Sequence, residues 1–580
     1  MEMLAAAARL GDFEGLPKVR LEKVSDFFAK AKADAKDPPV WVGELYLELH
    51  RGTYTTQARN KKGNRKSEVL LRDAELFDVL AGREAYEVKA GVREDHRAAY
   101  DVIARHATTP AGYLERAWKL LLLNQFHDII PGSSIGRVYK ESIDDYAAIF
   151  HLAHAVIEPA RWAVVERIDT QAAARPVIAF NTSGFARSEV VSLADGTPIY
   201  IEAPASGYVV ADAAEQRRVA SFAHPVEVIE RTRVVALDNG MLRVIIDRVT
   251  GNIRSIRDHR HDREVLAPGR AGNVFQLHRD LPNEYDAWDV DPFYMETCEA
   301  VGGLTAIEIC EQTELRAVVR IERAFGASSI VQHISLCAGT ARIDFDTEIE
   351  WQESHKFLKV AFPVNVRSPR ATYEIQFGHI ERPTHYNTSW DMARFEVCAQ
   401  KWADLSEGDY GVALLNDCKY GYDIHGNVMR LSLLRAPTAP DRQADRGHHE
   451  FVYALLPHGG DFRKGAVIEQ ASALNMPLHL VEAAPRKGSL PARQSFFEVD
   501  RPGVVIEAVK HAERDESVIV RLYEAHGSRG AVTLTTTLPV KHAFRADLME
   551  RTGAPVECEG GRIAFAVRPF EIVTFKLILG

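Results

Sequence analysis

Two periodicities divide the chain near residue 170. Before that point apolar residues recur at spacings of three and four. Leu70, Ala74, Phe77 and Ala81 form one set, Leu114, Trp118, Leu121 and Gln125 a second, and Tyr146, Ile149, Ala153 and Val156 a third. Each set lies on one face of a helix, and three such faces with loops between them predict a small three-helix bundle. Beyond residue 170 the period becomes two. Ala341, Ile343, Phe345, Thr347, Ile349 and Trp351 alternate with Arg342, Asp344, Asp346, Glu348 and Glu350, which predicts a strand with one buried and one wet face. Asn239-Gly240, between two apolar runs, reads as a tight hairpin turn. Ile563, Phe565 and Val567, then Val573, Phe575 and Leu577, predict a strand pair around Pro569. Roughly 400 residues of such strands require β-sandwiches, more than one of them.

The first 40 residues follow neither pattern. They read as a short helix, an extended piece over Lys18 to Leu21 and a helix from about Val24 to Ala33. A lone strand needs neighbours, so one α-β-α unit cannot bury its own apolar faces. It is either the last fragment of a larger α/β domain or a locally docked arm. The Pro, Gly, Lys and Arg-rich stretch from Ala484 to Ser495 is the best internal linker.

Length and charge narrow the function classes. A chain of 580 residues exceeds one hydrophobic core, so two to four domains are expected. The net charge of −10 is spread over interspersed acids and bases without a basic stripe, which argues against nucleic acid or an anionic membrane as partner. No apolar run approaches the roughly 18 residues of a membrane span. The opening MEMLAAAARL has no basic start or cleavage-type site and reads as a helix rather than a signal peptide. The six cysteines are scattered without a CxxC pair, against a disulfide scaffold or Cys-based zinc site and in favour of a reducing cytoplasm.

Two stretches carry candidate chemistry. In LLLLNQFHDIIPGSSI, Leu120 to Ile135, an apolar helix runs into Asn124, Gln125, Phe126, His127 and Asp128 before Pro131-Gly132 stops it. There His127 can offer a ligand nitrogen, and Asp128 can orient the ring or accept a sugar hydroxyl. The plainer reading is a His-Asp pair capping a helix end. In ELYLELHRGTYTTQARNKKGNRKSE, Glu44 to Glu68, His50, Arg51 and Tyr54 surround a glycine among hydroxyl residues. That mixture suits a pocket wall for a polyol, because rings stack on C–H faces while hydroxyls pair with O–H. The plainer reading is a surface loop with a solvated basic helix start from Lys61 to Lys66.

Together these stretches closely resemble the middle helical domain of glycoside hydrolase family 38, the α-mannosidases. YDAWDVDPFY (Tyr285 to Tyr294), RPTHYNTSWDMARFE (Arg382 to Glu396) and LLNDCKYGYDIHGNVMRLSLLRAP (Leu414 to Pro437) resemble its C-terminal β-region, so the likeness spans about Met3 to Leu579. The resemblance implies zinc-dependent, retaining hydrolysis of terminal α-mannosides or manno-oligosaccharides. It makes His127 the one zinc ligand of the helical domain and Asp128 a contact to the bound mannose. His50 falls near an aromatic position of the sugar subsite, and Arg51 and Tyr54 join it as substrate-binding candidates.

The family's N-terminal α/β domain, with its other zinc ligands, nucleophile and acid/base, has no counterpart in this sequence, so no catalytic residue is retained. His278-Arg279-Asp280 has a His-x-Asp spacing but not the family context, and His261-Asp262 reads as a solvated turn. The expected fold is multidomain α+β. Residues 1–40 would be a remnant of the α/β domain, 41–168 a helical bundle, 169–484 the mannosidase-type β-sandwich region and 485–580 a small β-domain. Leu16, Val19, Leu21, Phe27 and Phe28 are then expected to be exposed. The chain is expected to be a truncated form, inactive alone, or one half of a split enzyme partnered by a separate catalytic chain, with homo-oligomers an open possibility. The rival reading is a non-catalytic carbohydrate-binding or scaffolding β-sandwich protein.

Overall fold

The computed structural model describes residues 2–82, 109–214 and 224–580, in two compact units, Met1–Tyr46 and Leu47–Gly580. The first unit holds helices α1 (Glu2–Leu10) and α2 (Val24–Asp34), and neither buries a residue. Lys18 to Leu21 form no strand. Leu16, Val19, Leu21, Phe27 and Phe28 are all exposed, as the sequence leads one to expect, with Phe27 and Phe28 edge to face at 5.4 Å.

In the second unit the three helical periodicities fall within α3 (Ala58–Ala81), α4 (Pro110–Asn124) and α5 (Gly136–Val165). α4 opens on Thr109, whose side chain accepts the Gly112 N–H at 3.2 Å, with Pro110 at the first helical position. It ends at Asn124, well before Pro131, where the Asn124 side chain turns back to Leu120 O at 2.9 Å and across to Asp145 of α5 at 3.0 Å. Gln125 therefore closes the helix rather than extending it. Leu71, Phe77, Leu121, Ile149 and Val156 are buried in one core, which runs on into Phe180, Phe497, Val520 and Phe575 of the β-region.

The β-region is antiparallel. A nine-stranded sheet runs from Leu304–Gln312 at one edge, through Ile343–Trp351 and Gly447–Gly459, to Gly378–Pro383 at the other. A six-stranded sheet containing Val274–Arg279, Lys356–Pro363 and Val428–Arg435 packs against it, with Phe345 of one sheet 5.6 Å from Phe362 of the other. In Ile343–Trp351 every second residue is buried, from Ile343 to Trp351. Asn239-Gly240 does join paired strands, Val234–Asp238 and Leu242–Asp247, with Gly240 at φ 78°.

One strand pairing differs from the sequence expectation. Ile563 pairs with Leu534 in a three-stranded sheet, while Val573 pairs with Leu522 in a five-stranded one. The two runs face each other across the layers, Phe565 edge to face on Phe575 at 5.0 Å. Chain reversal at Pro569 thus changes sheets instead of closing a hairpin. Residues 484–495 are held in place: Thr170 and Arg486 exchange hydrogen bonds, Leu490 N–H reaches Arg167 O at 2.8 Å, and Arg493–Ser495 pairs with Gly207–Asp212. Among the described residues, no helix is long and apolar enough to cross a membrane.

Candidate active site

His50 adopts a left-handed backbone, φ 61°, and turns the chain into a short 3-10 helix, Arg51–Tyr54. Thr56 Oγ1 lies 2.9 Å from Gly52 O and from Ala287 O, and Thr53 N–H reaches Trp288 O at 3.2 Å. Gly52 is required here: a Cβ would fall 1.9 Å from Nη1 of the buried Arg435. The Arg51 guanidinium donates to Glu48 O and Ala393 O and lies 4.6 Å over the Phe395 ring. Arg51 therefore braces the turn from beneath, whereas His50 is exposed and Tyr54 half-buried.

The second turn follows α4. Gln125 donates to Asn64 Oδ1 and Glu68 Oε1, both at 2.9 Å, fixing the turn to α3. The Asp128 carbonyl accepts Ser134 Oγ at 2.6 Å and the Tyr139 hydroxyl at 3.2 Å, while Ser133 Oγ donates to its carboxylate at 3.1 Å. Its backbone is thus locked while the side chains project outward. The side chain of His127 is 77% exposed and that of Asp128 49%, with Nε2 and Oδ2 3.3 Å apart. Phe126, itself exposed, packs on the His127 ring at 4.4 Å.

The structure brings both turns together. Lys61 Nζ donates to Thr56 O at 2.6 Å in the first and to Ile130 O and Pro131 O at 2.9 and 3.3 Å in the second. Asn60 Nδ2 reaches Ile129 O at 3.0 Å. Gly132, at φ 95°, lies so close to Thr56 that a Cβ would fall 2.5 Å from its carbonyl oxygen. Burial pushes the Lys61 ammonium down to about 7, against the pull of Asp445. Lys61 and Asn60 escaped sequence reasoning because they stand in a run that looks solvated; Lys61 and Arg65 are in fact buried, four residues apart on one face of α3.

Behind Phe395 lies a buried ionic cluster. Lys359 Nζ contacts the Tyr294 hydroxyl and the carboxylates of Glu396 and Asp423, and Arg430 closes it on Asp423. Burial pushes Glu396 up to about 7, although Lys359 opposes the shift. His278 is buried with Nδ1 3.1 Å from Tyr294 O, and burial pushes it down to about 4. Asp280 is committed to Arg435 Nε at 2.7 Å. This His-x-Asp pair is structural. Catalytic zinc takes about three protein ligands and an open position. Among the described residues no group of three or more His, Cys, Asp or Glu is gathered to hold a metal ion. His127 with Asp128 beside it supplies one nitrogen donor at the surface, and these residues alone do not fit such a centre.

Residues 48–161 match the α-mannosidase middle domain, 237–443 the glycosyl hydrolases family 38 C-terminal domain, and 503–575 the family 38 C-terminal β-sandwich domain. The chain is 40% identical over its whole length to human Alpha-mannosidase 2C1, covering 54% of that protein. It is 33% identical over 96% of its length to the Saccharomyces cerevisiae Alpha-mannosidase, covering 50% of it. With Alpha-mannosidase G of Dictyostelium discoideum the identity is 31% over 99% of the chain and 56% of the relative. The chain thus spans about half the length of the curated relatives it matches. A solved α-mannosidase from Enterococcus faecalis V583 shares the fold at a TM-score of 0.77 and 17% identity, over 96% of this chain and 72% of that one. The chain belongs to glycoside hydrolase family 38.

Proposed function

We propose that this chain furnishes the helical and β-sheet parts of an α-mannosidase acting on terminal α-mannosides, with the wall built from residues 50–57 and 126–134 facing the sugar. The observation that carries this reading is the meeting of two family-type motifs, joined through Lys61, with His127 and Asp128 left projecting from a locked backbone. In this reading Asp128 accepts a sugar hydroxyl, a charge-assisted bond stronger than a neutral one. His50 and Tyr54 offer ring surface to its C–H faces, and Arg51 keeps their turn in shape. His127 offers one nitrogen to a zinc ion whose other ligands, like the nucleophile and acid/base, are not among these residues. The scattered cysteines are in keeping with a cytoplasmic setting.

The test is a fusion of a family 38 N-terminal catalytic domain ahead of Met1, assayed on an aryl α-mannoside with and without zinc. Zinc-dependent cleavage is expected, with His127→Ala lowering zinc affinity and turnover by at least 10-fold. Asp128→Asn should leave the metal bound and lower kcat/KM by about 10- to 100-fold, as loss of one charged hydrogen bond predicts. A folded fusion whose His127→Ala variant keeps full turnover rules out His127 as ligand. Mannoside binding by the chain without cleavage in any fusion favours the carbohydrate-binding alternative.

A further inference from the structure

Lys61 lies inside the wall, where no substrate is expected to reach. An ammonium has three N–H donors, and here each meets a backbone carbonyl, those of Thr56, Ile130 and Pro131. One acceptor belongs to the first turn and two to the second. Among the described residues no carboxylate touches the ammonium. The nearest one electrostatically, Asp445, is taken up by the Gln57 and Ala58 N–H groups, both at 2.7 Å, and the other groups bearing on Lys61 are Cys398, Arg435 and Lys419. Asn60 to Ile129 and the close approach of Gly132 to Thr56 flank the same seam. An apolar side chain of equal volume would strand the buried Thr56 carbonyl and the part-buried carbonyls of Ile130 and Pro131, and each costs free energy when left unpaired.

We infer that Lys61 is a positioning residue: it clamps the His50–Gln57 turn and the Phe126–Ser134 turn into one rigid wall and so fixes His127 and Asp128 relative to His50 and Tyr54. Its consequence for a sugar site rests on the function proposed above, while the clamp itself does not. The clamp has a signature that mere packing lacks. Burial pushes Lys61 down to about 7. Opening the seam returns the amine to water and to its ordinary value of about 10.4. Above pH 7 the closed wall holds the neutral amine, whose two N–H groups still serve two of the three carbonyls, and opening must take up a proton. By linkage, opening then becomes up to tenfold rarer for each pH unit from 7 towards 10, and is insensitive to pH below 7.

Hydrogen exchange measured by mass spectrometry on the chain itself, from pH 6 to 9 and corrected for intrinsic rates, reads this directly. Protection of amides in 52–57 and 127–134 is expected to climb with pH above 7 in the wild type. In Lys61→Met it should be flat, and at least tenfold lower at pH 8. The Ile343–Trp351 strand serves as control, unchanged in both proteins. Equal protection in wild type and variant, or a pH-flat wild-type wall, overturns the clamp. Should Lys61→Met fail to fold, the wild-type pH slope decides alone: confined to the two turns it supports the clamp, and absent or spread over the whole chain it refutes it. No ligand or turnover enters the measurement, so a failure of the mannoside reading leaves this result standing, and the reverse holds too.

Discussion

Glu75 sits near the end of α3, nine-tenths buried, and accepts the Trp118 indole N–H of α4 at 2.9 Å. Burial pushes its carboxyl up to about 7. A carboxyl raised in the folded state favours folding most below its unfolded value near 4.3, and that contribution is lost as pH rises through about 7. Glu75→Gln keeps an acceptor for Trp118 without the ionisation. It is expected to lie close to the wild type at pH 4.5 and to exceed it by roughly 3 to 4 kcal/mol at pH 8. Urea midpoints of both proteins across that range check this, and parallel pH curves would sink it. Residues of this kind mark the limit of what the sequence can disclose. His127 and Asp128 are legible as a motif because a short pattern names them. Glu75, Lys61, Asn64 and Arg65 lie among charges that look like any wet helix face, yet all four are buried. For the last three, the signal that could have found them is the spacing of 57, 60, 61, 64, 65 and 68, a polar stripe at helical period opposite Tyr420 and the second turn. A polar stripe is read as solvent-facing by default, and only the tertiary partners reverse that reading.

At the scale of elements the alternation of period two located strands well, because one face of each sheet is buried and the pattern follows from that alone. What it could not supply was which strand pairs with which. Phe565 and Phe575 alternate as two strands of one sheet would, but their rings meet across a sandwich. Either arrangement hides the same residues. The helices show the converse case, where a local rule is broken for packing. Gly63 lies inside α3, a position where glycine weakens a helix by about 1 kcal/mol relative to alanine. It stands against the ring of Tyr146 on α5, and a Cβ would lie 2.4 Å from that ring. Gly63→Ala should therefore destabilise the protein by about 1 to 3 kcal/mol despite its better helix propensity, since overpacking moves a buried ring. Equilibrium urea unfolding measures it. A stabilised Gly63→Ala protein would mean that Tyr146 swings aside freely and that the α3–α5 contact is looser than described.

Across the whole of Leu47–Gly580 the helical part and the β-region behave as one body, because polar groups of each end on the other. Arg435, on a strand of the six-stranded sheet and fully buried, shows this most fully. Its guanidinium pairs with Asp280 and donates to Thr56 Oγ1 and to the carbonyls of Asp286, Ala287 and Asp289. Through Thr56 it reaches the turn that Lys61 clamps, and Gly52 lacks a Cβ because this side chain occupies the space. Arg435→Met removes the fork, strands Asp280 as a buried carboxylate and leaves the Asp286 and Asp289 carbonyls unmatched. Breaking one partner of a buried pair in this way costs about 3 to 5 kcal/mol. Arg435→Met combined with Asp280→Asn no longer buries a charge, so it should recover part of that loss, and the difference between the double variant and the sum of the singles gives the coupling. Denaturation followed by far-UV circular dichroism and by tryptophan fluorescence supplies the readout. If the two parts are one cooperative body, both probes shift together in Arg435→Met. A β-region transition that moves while the helical signal stays at its wild-type midpoint would show two independently stable parts, with Arg435 serving only its own sheet.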